Sequence, residues 1–140
     1  MKTYYFRPCL LLFYEFSDEL YKDLIFLRGS ISELKDLDNK FLIIDEIEKK
    51  FTFFNAQVIN EFIKQKQTRP EIIGFHGQTI YHNSKAKISK QLGNAELLSQ
   101  LTKCTVVNNF RKQDLDNYGQ GAPLTPIFHY LISNQIIHFH

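Results

Sequence analysis

The chain has 140 residues, 44% of them apolar, which is enough for one domain with a real core and too apolar for a disordered chain. Seventeen basic and fifteen acidic side chains leave a net charge of +2, too even a balance to point to a nucleic acid or an anionic membrane. Cys9 and Cys104 lie too far apart for a disulfide framework or a zinc site, and the apolar run at 9–14 is too short for a secretory core or a membrane span, so a cytoplasmic protein with reduced thiols is expected.

Residues 16–28, "FSDELYKDLIFLR", predict a helix. Ser17 can cap it, Asp18 and Glu19 suit its positive end, and Leu20, Leu24 and Leu27 share one face. Gly29 is the expected stop. The next stretch, "SISELKDLDNK", fits a short helix or a polar connector. Residues 41–66 carry the strongest periodic signal: Ile44, Ile47, Phe51, Phe54, Val58 and Phe62 recur at spacings of three and four, a core-packing stripe on one long helix. Pro70 closes it by disfavouring helix at Arg69.

"EIIGF" at 71–75 reads as a buried strand. "TIYHN" at 79–83 and "AKISKQL" at 86–92 predict a hairpin. "GNAELLSQLTK" at 93–103 predicts a helix capped by Asn94, and "CTVVNNF" at 104–110 another strand. A charged, glycine-bearing loop, "RKQDLDNYGQGAP", is expected next, then a helix from about 124 with Pro126 in its first turn. Helices alternating with short apolar strands give an α/β class.

Ligands of α/β sheets bind outside the carboxyl ends of strands, and two polar segments sit there. In His76-Gly77-Gln78-Thr79 the glycine permits close backbone approach, and its neighbours supply neutral donors and acceptors suited to sugar hydroxyls and amides. The bland alternative is a polar turn. In the second segment Asp114 lies beside Arg111 and Lys112, whose charge favours its ionised form; such a carboxylate next to a water or alcohol can act as a general base. A surface ion pair is the alternative, and Asp116 fits as well on spacing alone. Gly119-Gln120-Gly121 is no dinucleotide fingerprint, since the third glycine is missing. The five histidines are too dispersed for a metal cluster.

"IGFHGQTIYH" and "QLGNAELLSQLTKCTVVNNFRKQDLDNYGQGAPLTPIFH", in that order, resemble the anhydro-N-acetylmuramic acid kinases. That family has an H-G-Q-T loop, a Q-x-G-[DN]-x-x-L helix entry, a T-V-V-x-D-F-R-x-x-D strand and loop, and G-Q-G-A-P-L-x-P-x-F-H. The resemblance spans about residues 14–132. It implies an actin-like (sugar kinase, heat-shock protein, actin) fold with a mixed sheet and flanking helices, normally two domains around an ATP cleft. It also implies ATP and magnesium as cofactors. The implied activity is phosphorylation of 1,6-anhydro-N-acetylmuramic acid with opening of the anhydro ring by water, giving N-acetylmuramic acid 6-phosphate in peptidoglycan recycling. By this resemblance Asp114 is the general base toward the water. His76, Gln78, Thr79, Arg111, Gly119, Gln120 and Gly121 lie near the sugar.

The departures shape the remaining expectations. The family's opening M-S-G-T-S-x-D-G loop has no counterpart, nor has its second domain with an Asp-Thr-Gly phosphate loop; Asn109 replaces the Asp before Phe-Arg, and the pattern dissolves after His129. Phosphoryl transfer needs phosphates positioned and their charge neutralised. Residues 1–140 are therefore expected to form a single incomplete domain, binding neither ATP nor magnesium and inactive alone. The alternatives are the sugar-binding half of a split kinase, completed by a second polypeptide, or a non-catalytic saccharide-binding module. Apolar faces and sheet edges are expected to stand exposed.

Overall fold

The computed structural model describes residues 13–122. The helix predicted from about 124, with Cys9 and the three C-terminal histidines, lies outside them.

Helix α1 (Asp18–Ser30) starts where the Ser17 Oγ accepts the Leu20 N–H, and it buries Leu20 and Leu27. It runs through Gly29, the expected stop, and ends one residue later, because helix geometry tolerates a glycine and nothing crowds that position. The polar stretch that follows does form a short helix, α2 (Leu34–Asn39). Its start is tied by the Asp36 carboxylate, which accepts the N–H groups of Ser32 and Glu33. These backbone donors hold Asp36 well below the ordinary carboxylate value, at about 2.

Helix α3 (Phe41–Lys66) is the long element the periodicity predicts, and its first half carries the core: Ile44, Ile47 and Phe51 are buried, joined by Thr52 and Ala56. Phe54, Val58 and Phe62 are half-buried. Phe16 packs on Phe54 with ring centres 4.8 Å apart, and Phe51 stacks on Phe75 at 6.2 Å. On the outer face Lys50 reaches Glu19 at 2.9 Å and Asp23 at 3.0 Å, tying α3 to α1. Its hydrogen bonds to Glu19 and Asp23 raise its pKa. The helix ends at the left-handed Gln67.

The strands come next: β1 (Ile72–Gly74), β2 (Gln78–Asn83), β3 (Ile88–Leu92) and β4 (Thr105–Val107), with helix α4 (Ala95–Thr102) before β4. β1 pairs with β4 in parallel, Ile73 opposite Val106, while β2 and β3 form the predicted antiparallel hairpin. Parallel and antiparallel pairs with flanking helices match the expected α/β class, as two separate two-stranded sheets among the described residues. A register shift between Thr79 and Tyr81 leaves Ile80 without a partner in the ladder, and Ile80 is buried. Asn94 caps α4 by accepting the Leu97 N–H, as expected, and the Arg69 guanidinium donates to the Thr102 carbonyl at its other end.

The core joins α1, α3, β3 and α4, where Leu27, Leu92 and Leu98 are fully buried. Fully burying one leucine contributes about 1.5–3 kcal/mol. Apolar side chains also stand exposed, as expected, among them Ile25 and Phe26 on α1 and Phe41, Leu42 and Phe53 on α3.

Two readings differ. β1, expected as a buried strand, is largely exposed, with Ile72 62% exposed and Ile73 half-buried, because β-branched residues signal a strand but not what covers its faces, and β1 has one partner in a two-stranded sheet. The segment after β4, expected as a loop, forms helix α5 (Phe110–Asp116), entered through a left-handed Asn109 (φ +59°). The single side chain it buries is Leu115. One apolar anchor among seven residues leaves no periodic signal to read.

Candidate functional site

β1 and β4 run in parallel, so their carboxyl ends point the same way and bring the two motif segments together. After β1, Phe75 donates its N–H to the Val107 carbonyl, extending the pairing by one residue. The chain then turns at Gly77, whose φ of +69° and approach to the Leu92 carbonyl leave no room for a side chain. That turn sends Gln78 and Thr79 straight into β2. The HGQT segment is thus half turn and half strand.

Arg111, in the first turn of α5, donates its Nε–H to His76 Nε2 at 3.3 Å. A guanidinium only donates, so Nε2 is the accepting nitrogen and the ring proton sits on Nδ1. Nδ1 is 3.1 Å from the Gly77 carbonyl, which accepts it. The imidazole is thereby fixed in one neutral tautomer with both nitrogens engaged. This contact joins the two predicted segments across 35 residues of chain.

Asp114 lies one turn further along α5. A spacing of three on a helix places it near Arg111. It is half-buried, and its Oδ2 accepts the Gly121 N–H at 2.7 Å, while its backbone carbonyl accepts the Gly119 N–H at 2.7 Å. A Cβ on Gly119 would collide with the Asp114 carboxylate. The Gly-Gln-Gly segment is therefore wrapped around this side chain. Asp116, indistinguishable by spacing, is exposed and pairs with Lys112 at 2.7 Å. The surface ion pair of Asp114 with Arg111 or Lys112, the alternative reading, does not form. Arg111 turns to His76, and Lys112 faces Asp116 because helix neighbours stand four apart, not two. The Gly121 N–H stands at the carboxylate where the cations were expected.

The other predicted residues fall around these. Thr79 is half-buried, its hydroxyl accepting from Gln91 Nε2 at 3.3 Å. Gln78 and Gln120 are exposed, and no side-chain hydrogen bond among the described residues joins either to the rest. Lys87 sits 3.6 Å over the Tyr118 ring, fastening the β2–β3 turn to the segment before Gly119.

A cavity of about 270 Å³ opens beside the Gly77 turn, lined by Phe75, His76, Gly77, Gln91, Asn108 and Asn109, with Ser89, Lys90 and Gly93 at its β3 side. Its floor is braced from α3. Glu48 Oε1 accepts the Gly93 N–H at 3.0 Å and the Lys90 ammonium at 3.3 Å, and Thr52, fully buried, accepts the Asn94 N–H at 3.0 Å. Sequence reasoning missed Gln91, Asn108 and Asn109 as lining residues. The signal that could have found them was their place: Asn108 and Asn109 directly follow β4, as His76 nearly follows β1.

Among the described residues no group of three or more His, Cys, Asp or Glu could hold a metal ion, and no helix is long and apolar enough to cross a membrane. Cys104 is buried and free, its thiol donating to the Thr102 carbonyl.

These features coincide with a similarity that runs along most of the chain. The family model for anhydro-N-acetylmuramic acid kinase matches residues 24–137. A protein of that name from Pelagibacter ubique is 47% identical over 130 residues, covering 93% of this chain and 35% of the relative. One from Bradyrhizobium diazoefficiens is 34% identical over 116 residues, 79% of this chain and 32% of the relative. One from Gluconobacter oxydans reaches 50% over 66 residues. The chain spans about a third of the length of the first two of these relatives. A family match over 24–137 includes both strand-end segments and the cavity beside the Gly77 turn, and the chain belongs to the anhydro-N-acetylmuramic acid kinase family.

Proposed function

We propose that this chain forms the sugar-facing wall of an anhydro-N-acetylmuramic acid kinase. In the whole kinase the reaction would convert 1,6-anhydro-N-acetylmuramic acid, with ATP and water, to N-acetylmuramic acid 6-phosphate. The observation that carries this reading is the Arg111–His76 contact, which joins the two motif segments beside a polar cavity that His76 and Gly77 line at the carboxyl end of β1.

The division of labour follows from the chemistry. Water adds to the anomeric carbon and loses a proton to a base; the bond from that carbon to the bridging oxygen breaks, and the freed oxygen takes the phosphoryl group. Asp114 is assigned the base. Its Oδ2 is engaged by Gly121, so Oδ1 is the oxygen assigned to the water. Arg111 is assigned the sugar hydroxyls through the N–H groups that His76 does not use, with His76 holding the guanidinium in place; Gln78, Thr79, Gly119, Gln120 and Gly121 are assigned to the surroundings of the sugar, outside the lining of the cavity itself. No step of the phosphoryl transfer is assigned to these residues.

Calorimetry with the anhydro sugar tests this. The 140-residue chain is expected to bind at millimolar sugar. Asp114→Asn should keep the affinity, since an amide oxygen still accepts from Gly121. Arg111→Met should weaken binding about tenfold or more, the scale of a lost hydrogen bond to a charged group. No heat of binding by the unaltered chain at millimolar sugar would overturn the reading.

A further inference from the structure

Three consecutive residues beside the cavity, Leu92, Gly93 and Asn94, touch the His76 turn on one side and α3 on the other. On the first side, a Cβ on Gly93 would strike the Phe75 ring, and a Cβ on Gly77 would strike the Leu92 carbonyl. Phe75 and Gly77 flank His76 in the chain, so the 92–94 segment is the surface against which the His76 turn is pressed. Main chain packed directly on a glycine leaves little slack, because no side chain stands there to rearrange.

On the second side the contacts are polar and come from one turn of α3. Glu48 Oε1 accepts the Gly93 N–H at 3.0 Å and the Lys90 ammonium at 3.3 Å. Thr52 Oγ1 accepts the Asn94 N–H at 3.0 Å, while its own proton goes to the Glu48 carbonyl at 2.7 Å. Thr52 is fully buried and the Glu48 side chain is 17% exposed. A spacing of four places the two side chains on one face of the helix. Two successive backbone N–H groups are thus held from a single helical turn. α3 itself needs neither side chain, since alanine is the better helix former at both places.

We infer that Glu48 and Thr52 are positioning residues for the candidate site. By fixing the Gly93-Asn94 turn to α3 they hold the Gly77 turn, and with it the His76 imidazole, where Nε2 meets the Arg111 Nε–H. Both lie outside the motif segments and touch neither His76 nor Arg111. For its effect on sugar affinity the inference rests on the proposed function; its effect on His76 does not. Without Glu48 the Gly93 N–H has no acceptor in the fold and Lys90 loses its partner. The 92–94 turn loosens, Gly77 follows the Leu92 carbonyl, and the His76–Arg111 contact opens. The ring proton then exchanges between the two nitrogens instead of staying on Nδ1. Among the described residues Glu48 Oε2 has no hydrogen-bond partner, so a carboxamide can stand in for the carboxylate, its oxygen still accepting from Gly93.

The test follows the His76 ring nitrogens in the ¹⁵N-labelled 140-residue chain, in mildly alkaline buffer, beside calorimetry with 1,6-anhydro-N-acetylmuramic acid. The unaltered chain is expected to show the Nδ1-protonated tautomer. Glu48→Ala and Thr52→Val should move it toward a mixture of tautomers and weaken sugar binding about tenfold, the scale of one lost hydrogen bond. Glu48→Gln and Thr52→Ser keep the accepting oxygens and should restore both readouts. Ile47→Val, in the core on the same turn of α3, should alter neither. If Glu48→Ala does not fold, Thr52→Val decides alone; if neither folds, the two residues belong to the scaffold and the inference falls. It falls also if the His76 signature is unchanged in both, if Ile47→Val changes it equally, or if sugar affinity ignores the change. A signature that responds in a chain that binds no sugar upholds the hold on His76 and overturns the kinase reading.

Discussion

The helical scaffold and the strand-end wall of this molecule are held together in different ways. Behind the site, α1, α3 and α4 share a continuous core in which Leu27, Leu92 and Leu98 are fully buried and aromatic rings interleave. At the site, single polar contacts define the geometry: Arg111 to His76, Asp114 to Gly121, Gln91 to Thr79, Glu48 to Gly93. Burial is redundant, so the scaffold tolerates error at its rim but not at its centre. A hydrogen bond is singular, so the wall can be altered piece by piece without unfolding the rest. Glu48 and Thr52 belong to both regions, because they fix the Gly93-Asn94 turn to α3.

Substitution should separate the two regions, beginning with the largest effect. Leu98→Ala removes a fully buried side chain and is expected to cost about 2–5 kcal/mol in chemical denaturation. An effect under 1 kcal/mol would mean that the core is not centred on α4. Gly119→Ala forces a methyl into the Asp114 carboxylate. It should cost roughly 1–3 kcal/mol and abolish sugar binding out of proportion to that loss. If affinity survives, the Gly-Gln-Gly wrap is not part of the site.

The smallest expected effect is on pH dependence. The folded value of Asp36 is lowered to about 2 by the Ser32 and Glu33 N–H groups, beneath its ordinary 3.8. Its contribution is therefore fully present above about pH 4 and fades as the pH falls toward 2. Asp36→Asn should flatten the acid limb of the melting-temperature profile slightly and leave sugar binding unchanged, because α2 lies in the scaffold. An unaltered acid limb would remove this cap from the account.

The same division explains what could be read from the residues alone. α1, α3 and α4 announced themselves through apolar spacing and through caps at Ser17 and Asn94, because packing imposes a period and a cap imposes a residue type. The hairpin showed itself in two neighbouring strand-like runs, the second with partial alternation. Membership of the family carries the actin-like α/β class, and the H-G-Q-T and G-Q-G-A-P segments marked it in the sequence. α5 did not show itself, since it is short, has one buried anchor and begins at a left-handed Asn109 rather than at an extended cap. Its one local clue was the Lys112–Asp116 spacing of four. Nor could spacing say that Arg111 would leave Asp114 for His76, which depends on two strands lying side by side. Gln91 read as an ordinary strand residue, because nothing local distinguishes a side chain that faces a cavity from one that faces water.

The most direct measurement of the central claim is a map of backbone amide shifts as 1,6-anhydro-N-acetylmuramic acid is titrated into the chain. The account predicts that the changes concentrate on residues 75–79, 89–93 and 108–121, on both sides of the Arg111–His76 contact. Changes confined to the outer faces of α1 and α3, or no change at all at millimolar sugar, would contradict it.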